Sequence, residues 1–166
     1  MDYLLHYIGT SYNSIKQDHP QEYNDVLEVV NSIKWEAVKV FEDKYKHQRA
    51  YNKLFDIEFE KRGWIIAPVV SNQCGQKADH GKNRVHTEVE FGPTSKIYHC
   101  YYKFQISQES DINDLGVLIL PIKAKEFFPE RKSPTSVSNM VEYNTAIRFL
   151  SLLKNPVPLM IVGVKP

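Results

Sequence analysis

Apolar side chains recur at helical spacing through the first third of the chain. After Asp18-His19-Pro20, the segment QEYNDVLEVVNSI brings Tyr23, Val26, Leu27 and Val30 to one face, and Pro20 suits a first helical turn, where its missing N–H removes no bond. A further helical stretch runs through Trp35, Val38, Phe41 and Tyr45. The next, from about Gln48 to Arg62, lines up Tyr51, Leu54, Phe55 and Phe59, with Gly63 as its stop. The period then changes. Trp64-Ile65-Ile66 and Val69-Val70 read as strand, followed by a polar loop containing Cys74, Gly75 and Gly81. From Arg84 to Phe91 the residues alternate strictly: Val85, Thr87, Val89 and Phe91 point one way, His86, Glu88 and Glu90 the other.

Beyond Gly92-Pro93 a helix is predicted from about Ser95 to Gln108, burying Ile97, Tyr101 and Phe104. The continuous apolar run from Leu115 to Pro121 is that of a central strand covered on both faces. A Pro/Ser/Lys-rich loop spans Phe128 to Val137, and Asn139 with Glu142 resembles a capping box opening a helix through Tyr143, Ile147 and Leu150. Leu159 to Val164 reads as a last strand. Helices first, then strand–helix–strand–helix–strand, predict an α/β fold with a mixed β-sheet sandwiched by helices. The chain reads as one domain over residues 1–166, with a helical N-terminal part at 1–47 and a core at 48–166.

Composition narrows this little. The 166 residues are 42% hydrophobic and 25% charged, an ordinary globular balance. No apolar run approaches the roughly 20 residues that span a bilayer, so no membrane partner is expected. Met1 to Tyr12 lacks a basic start followed by a long apolar stretch, so no secretory signal is read there. Cys74 and Cys100 make neither a disulfide framework nor a zinc pattern, and reduced thiols in a cytoplasmic protein are expected. A formal net charge of +1 neither demands nor excludes a nucleic-acid partner.

Chemistry enters with Asp79-His-Gly-Lys-Asn-Arg-Val-His-Thr-Glu88-Val-Glu90. Glu88 and Glu90 stand two apart on a strand, which puts their carboxylates on one face about 6–7 Å apart. A turn at Gly81 would bring Asp79 alongside. Such a cluster repels itself unless a hard divalent cation neutralises it, and oxygen-only ligands suit magnesium. Phosphodiester hydrolysis needs an activated water, charge neutralisation and support for the leaving oxygen, all within reach of carboxylate-held magnesium. Asp79 and Glu88 are the candidate metal ligands, and Glu90 the candidate base. The bland alternative is that Glu-Val-Glu and His86 form a solvated strand face.

The ordered set Asp79…Glu88-Val-Glu90-Phe-Gly, a helix, then Val117-Leu-Ile-Leu-Pro121-Ile-Lys123 resembles the core of BamHI/BglII-like type II restriction endonucleases, of the PD-(D/E)xK nuclease superfamily. Tyr51-Asn-Lys-Leu-Phe and Arg62-Gly-Trp64 resemble the helix leading into that core, so the resemblance spans about Gln48 to Val164. It implies a restriction-endonuclease-like fold and a homodimer cutting double-stranded DNA at a short palindromic site. Mg2+ would be the cofactor, and the ends 5′-phosphate and 3′-hydroxyl. Asp79 and Glu88 match the family's metal-binding acids; Glu90 stands where most of the superfamily has Lys, as BamHI-like members do with an acid. Glu60 is the nearest match to a supporting acid on the preceding helix.

The same resemblance places Ser95 and His99 toward base edges, with Pro93 where close relatives have an amide. Arg131, in the loop Pro129–Ser133, is implied to read guanine, and Lys82 and Arg84 to clamp phosphates. The aromatic run Tyr98-His-Cys-Tyr-Tyr102 is the candidate dimer element. Two other readings remain open: another nuclease of the superfamily, acting in repair or on DNA structure, or a DNA-binding module without turnover.

Overall fold

The computed structural model describes residues 1–34, 47–128, 137–154 and 156–166, and a mixed six-stranded sheet lies at its centre. In chain order the strands are β1 (Asp2–Ile8), β2 (Ile65–Ile66), β3 (His80–Lys82), β4 (Val85–Val89), β5 (Leu115–Pro121) and β6 (Leu159–Lys165). Across the sheet they run β1-β6-β5-β4-β3-β2. The central trio β4, β5 and β6 is parallel, and β1, β3 and β2 add antiparallel at the sides. The helices among the described residues are α1 (Tyr12–Asp18), α2 (Pro20–Ser32), α3 (His47–Lys61), α4 (Lys96–Glu109), α5 (Ala124–Phe127) and α6 (Tyr143–Leu150). The expected α/β sandwich is therefore the fold. The stretch from Trp35 to Tyr45, and Arg131 with its loop, lie outside the described residues.

Alternation divides each central strand between two cores. Val85, Val89, Val117, Ile119, Met160 and Val162 face the apolar stripes of α2 and α3. Leu118, Leu120, Leu159 and Ile161 face α4 and α6, where Ile97, Cys100, Phe104, Ala146 and Leu150 meet them. The uninterrupted apolar run of β5 follows, because a strand covered on both sides has no polar face. On the α3 side Phe91 anchors an aromatic cluster, its ring centroid 5.4 Å from Tyr51 and 5.2 Å from Phe127. The buried Tyr51 hydroxyl donates to the Phe127 carbonyl at 3.0 Å, so the cluster leaves that polar tip satisfied.

Four local expectations are corrected. The chain opens on a strand rather than a helix: β1 pairs with β6 from Asp2↔Lys165 to Ile8↔Leu159. As an edge strand it buries only Ile8 fully, so its pattern carries no clean alternation. The strand expected at Val69-Val70 shrinks to a single bridge between Val69 and Lys77. No capping box forms at Asn139–Glu142; α6 begins at Tyr143, and the Glu142 carboxylate instead accepts the Ala124 N–H at 3.0 Å. The hairpin turns at Asn83–Arg84, both left-handed (φ 43° and 66°), the pair a two-residue primed turn requires. Gly81 serves another purpose: a Cβ there would lie 2.8 Å from the Pro68 ring and 2.9 Å from the His86 ring.

Candidate active site

The β3–β4 hairpin builds the site. The Asp79 N–H donates to Thr87 O at 3.1 Å, locking the strands, and the Val89 N–H donates to Asp79 Oδ2 at 2.8 Å, fixing that carboxylate beside the end of β4. Across the mouth, the Ala67 N–H donates to Asp79 O at 2.8 Å from a residue held at φ 53°. A non-glycine residue in that region carries strain that its surroundings must hold in place. A cleft of about 310 Å³ opens here, lined by Asn52, Asp56, Ile66, Ala67, Lys77, Ala78, Asp79, His80 and Val89.

Glu88 lies behind Asp79, in register with Leu118 on the face toward α4. It is 3% exposed, and the solvated-face alternative falls with that value. Burial, with the Asp79 charge added, pushes its carboxyl up to about 8. Lys103, on the inward face of α4, opposes this: its ammonium donates to Glu88 Oε2 and, at 3.1 Å, to Lys77 O. Burial disfavours that ammonium, yet the Glu88 carboxylate outweighs it and holds Lys103 above the ordinary lysine value. Glu90 is buried beside the start of α4. The Gly92 N–H donates to its Oε1 at 2.6 Å, and burial raises its pKa against that bond. The Asp79 charge acts on both glutamates, so the hairpin brings the three acids within electrostatic reach of one another, through a turn other than the expected one.

The remaining candidates are placed differently. Ser95 and His99 are exposed at the start of α4. Lys82 is drawn inward, donating to Asp25 Oδ2 and to Arg62 O, both at 2.8 Å. Arg84 pairs with Asp111 at 2.7 Å and Asp114 at 2.6 Å. Glu60 is exposed and does not line the cleft. The α3 residues that do are Asn52 and Asp56, two turns and one turn earlier. Asp56 Oδ1 meets His80 Nε2 at 3.0 Å, His80 Nδ1 meets Thr87 Oγ1 at 2.7 Å, and the ring stacks on Phe59. His86, 4% exposed, is no surface group: its Nδ1 lies 3.3 Å from Ser107 Oγ. Sequence reasoning missed Asn52, Asp56, His80 and Lys103. Their signals were the Asn52/Asp56 spacing of four on α3 and a lysine inside the inward row Cys100, Lys103, Phe104, Ser107.

Among the described residues no three His, Cys, Asp or Glu side chains close a metal cage. The donor set nonetheless fits a hard cation. Glu88 Oε1 and Asn52 Oδ1 are buried oxygens without a hydrogen-bond partner, and an unpaired buried oxygen is costly unless something positive meets it. Asp79 and Asn52 line the cleft, and Asp79 acts electrostatically on Glu88. Oxygen donors of this kind are those magnesium takes, since it binds through one or two carboxylates and keeps several waters.

A family model described as restriction endonuclease BglII/BglIII matches residues 5–164. A solved structure, the crystal structure of restriction endonuclease BglII complexed with a DNA 16-mer, is similar at a TM-score of 0.72. That similarity covers 98% of this chain and 76% of that one at 16% identity, a likeness of fold. No curated protein sequence matches the chain.

Proposed function

The chain belongs to the restriction endonuclease BglII/BglIII family, a type II site-specific DNA-cleaving enzyme, and from that premise we propose that it hydrolyses double-stranded DNA at a short palindromic site using Mg2+ held by Asp79 and Glu88. The observation that carries this reading is the unpartnered, buried Glu88 Oε1, next in the chain to Val89, whose N–H holds the cleft-lining Asp79. When bound, the ion supplies a lower pKa for an attacking water and neutralises charge on the phosphate.

The chain's own groups do the rest. The Val89 N–H holds Asp79 by Oδ2, which leaves Oδ1 for the cation. Asn52 Oδ1 offers a neutral oxygen from α3. Glu90, its pKa raised by burial and its carboxylate steadied by the Gly92 N–H, is suited to take a proton from the attacking water. The water oxygen bonds to phosphorus as the P–O3′ bond breaks, and solvent protonates the departing oxygen, leaving a 5′-phosphate and a 3′-hydroxyl. Ser95 and His99 on α4, and Arg131, are the base-reading candidates. Lys82 and Arg84, which brace the hairpin through their ion pairs, are the phosphate-contact candidates.

A two-fold dimer gives each antiparallel strand its own active site. Tyr98 and Tyr102, 55% and 57% exposed on α4, support that helix as the contact. The cytoplasm, where host DNA lies, is the compartment this activity requires.

The test is incubation of the purified protein with a defined plasmid in magnesium and in EDTA, beside Glu88→Gln. Gln is chosen because Ala would strand the Lys103 ammonium. Discrete magnesium-dependent fragments, lost by a factor of about a thousand or more in the variant while DNA binding persists, are expected, on the scale of removing a charge-stabilising group. Random degradation would instead indicate a nuclease without site choice, and binding without cutting a DNA-binding module.

A further inference from the structure

Lys103 is 7% exposed, and a buried ammonium persists only where paired and hydrogen-bonded. It could have served α4 as packing alone, since Met would fill the same space beside Cys100 and Phe104. Instead its Nζ meets Glu88 Oε2 and the carbonyl of Lys77, a residue lining the cleft. Glu88 is thereby half satisfied: one oxygen faces Lys103 and the other, Oε1, faces no donor. The buried acid thus has an internal positive charge on one side and an oxygen without a hydrogen-bond partner on the other.

We propose that Lys103 is the resident counter-ion of the Asp79–Glu88 pair, a positioning residue that competes with a divalent cation for Glu88. The proposal rests on the reading of these two acids as metal ligands. In the metal-free chain the ammonium holds the Glu88 carboxylate in place and offsets its repulsion with Asp79. When a cation enters, the same ammonium becomes a like charge at close range, which weakens cation binding. The site is therefore preformed without metal, at the cost of metal affinity.

The experiment uses the full-length protein and the variants Lys103→Met and Lys103→Arg, titrated calorimetrically with Ca2+ in the absence of DNA. Each is also melted in EDTA and in saturating Ca2+. Lys103→Met is expected to bind Ca2+ at least tenfold more tightly than wild type, to melt lower in EDTA, and to gain more in melting temperature from Ca2+. Lys103→Arg, which keeps the charge, is expected to bind like wild type. Unchanged or weaker binding by Lys103→Met, or equal tightening by both variants, overturns the proposal. If Lys103→Met is unfolded in EDTA, folding on addition of Ca2+ supports the counter-ion role, and failure to fold in Ca2+ refutes it. Wild-type protein that binds no Ca2+ overturns the ligand reading beneath it, a result distinct from wild-type binding that Lys103→Met leaves unmoved.

Discussion

On the α2–α3 side of the sheet, β4 and the residues after it send Val85, Val89 and Phe91 into a layer of aromatic and aliphatic side chains. On the α4–α6 side the same segment sends His86, Glu88 and Glu90 under a helix that answers with Lys103, Ser107 and Cys100. Both faces are buried to a similar degree, yet they do opposite work. The first lowers free energy by removing apolar surface from water, while the second holds groups that burial penalises. One strand can carry such a load because its other face is apolar apart from Thr87, whose hydroxyl is paired with His80, and both faces of β5 beside it are packed with apolar side chains. A buried polar face of this kind is stable by proxy.

The comparison breaks most visibly at Phe91. Phe91→Ala removes the ring shared by Tyr51, Phe55, Phe127 and Phe128, and a loss of about 3–5 kcal/mol is expected in urea unfolding. A loss under about 1 kcal/mol would mean the α3 face is not the stabilising one.

His86 sharpens the other side. Burial pushes its pKa down to about 4, so the fold keeps it neutral while the unfolded chain takes up a proton below about 6.5. Its contribution is present above 6.5 and is lost as pH falls toward 4, up to about 3 kcal/mol. Glu88, raised to about 8, acts in the opposite sense, its term growing as pH falls from 8 through its ordinary carboxyl range. The clean observable is therefore a difference: His86→Gln should gain on wild type by that amount between pH 6.5 and 4. Parallel pH profiles would show that His86 is not held neutral.

The smallest effect separates two residues of one helix. Asn52→Ala is expected to slow cleavage ten- to a hundredfold, about 1.4–2.7 kcal/mol of barrier, with melting little changed. Glu60→Ala should cut at the wild-type rate. Equal effects from both would return the supporting role to the helix end.

What the sequence made legible follows from periodicity. Strict alternation from Arg84 to Phe91 identified both the core face and the acid face, and the ordered motifs identified the fold. It could not say that the acid face is covered, because a polar row reads the same under solvent or under α4. Asn52 and Asp56 escaped for a related reason: α3 shows its apolar stripe plainly, but which polar flank borders a cleft depends on the strands it packs against. Lys82 and Arg84 read as free cations because their partners, Asp25, Asp111 and Asp114, lie 57, 27 and 30 residues away and only the fold assembles them. β1 escaped because an edge strand need not alternate.

That same edge strand sets how the molecule would respond to force. Asp2 pairs with Lys165, and Ile8 with Leu159, so residues near the two ends leave from one end of a single antiparallel ladder. Tension applied between them would load the Asp2–Lys165 pair alone, then the next, opening the ladder as a zip rather than shearing seven pairs at once. The β3–β4 hairpin that bears the acids lies outside that line of pull, so β1 could be peeled away at low force before that hairpin felt it.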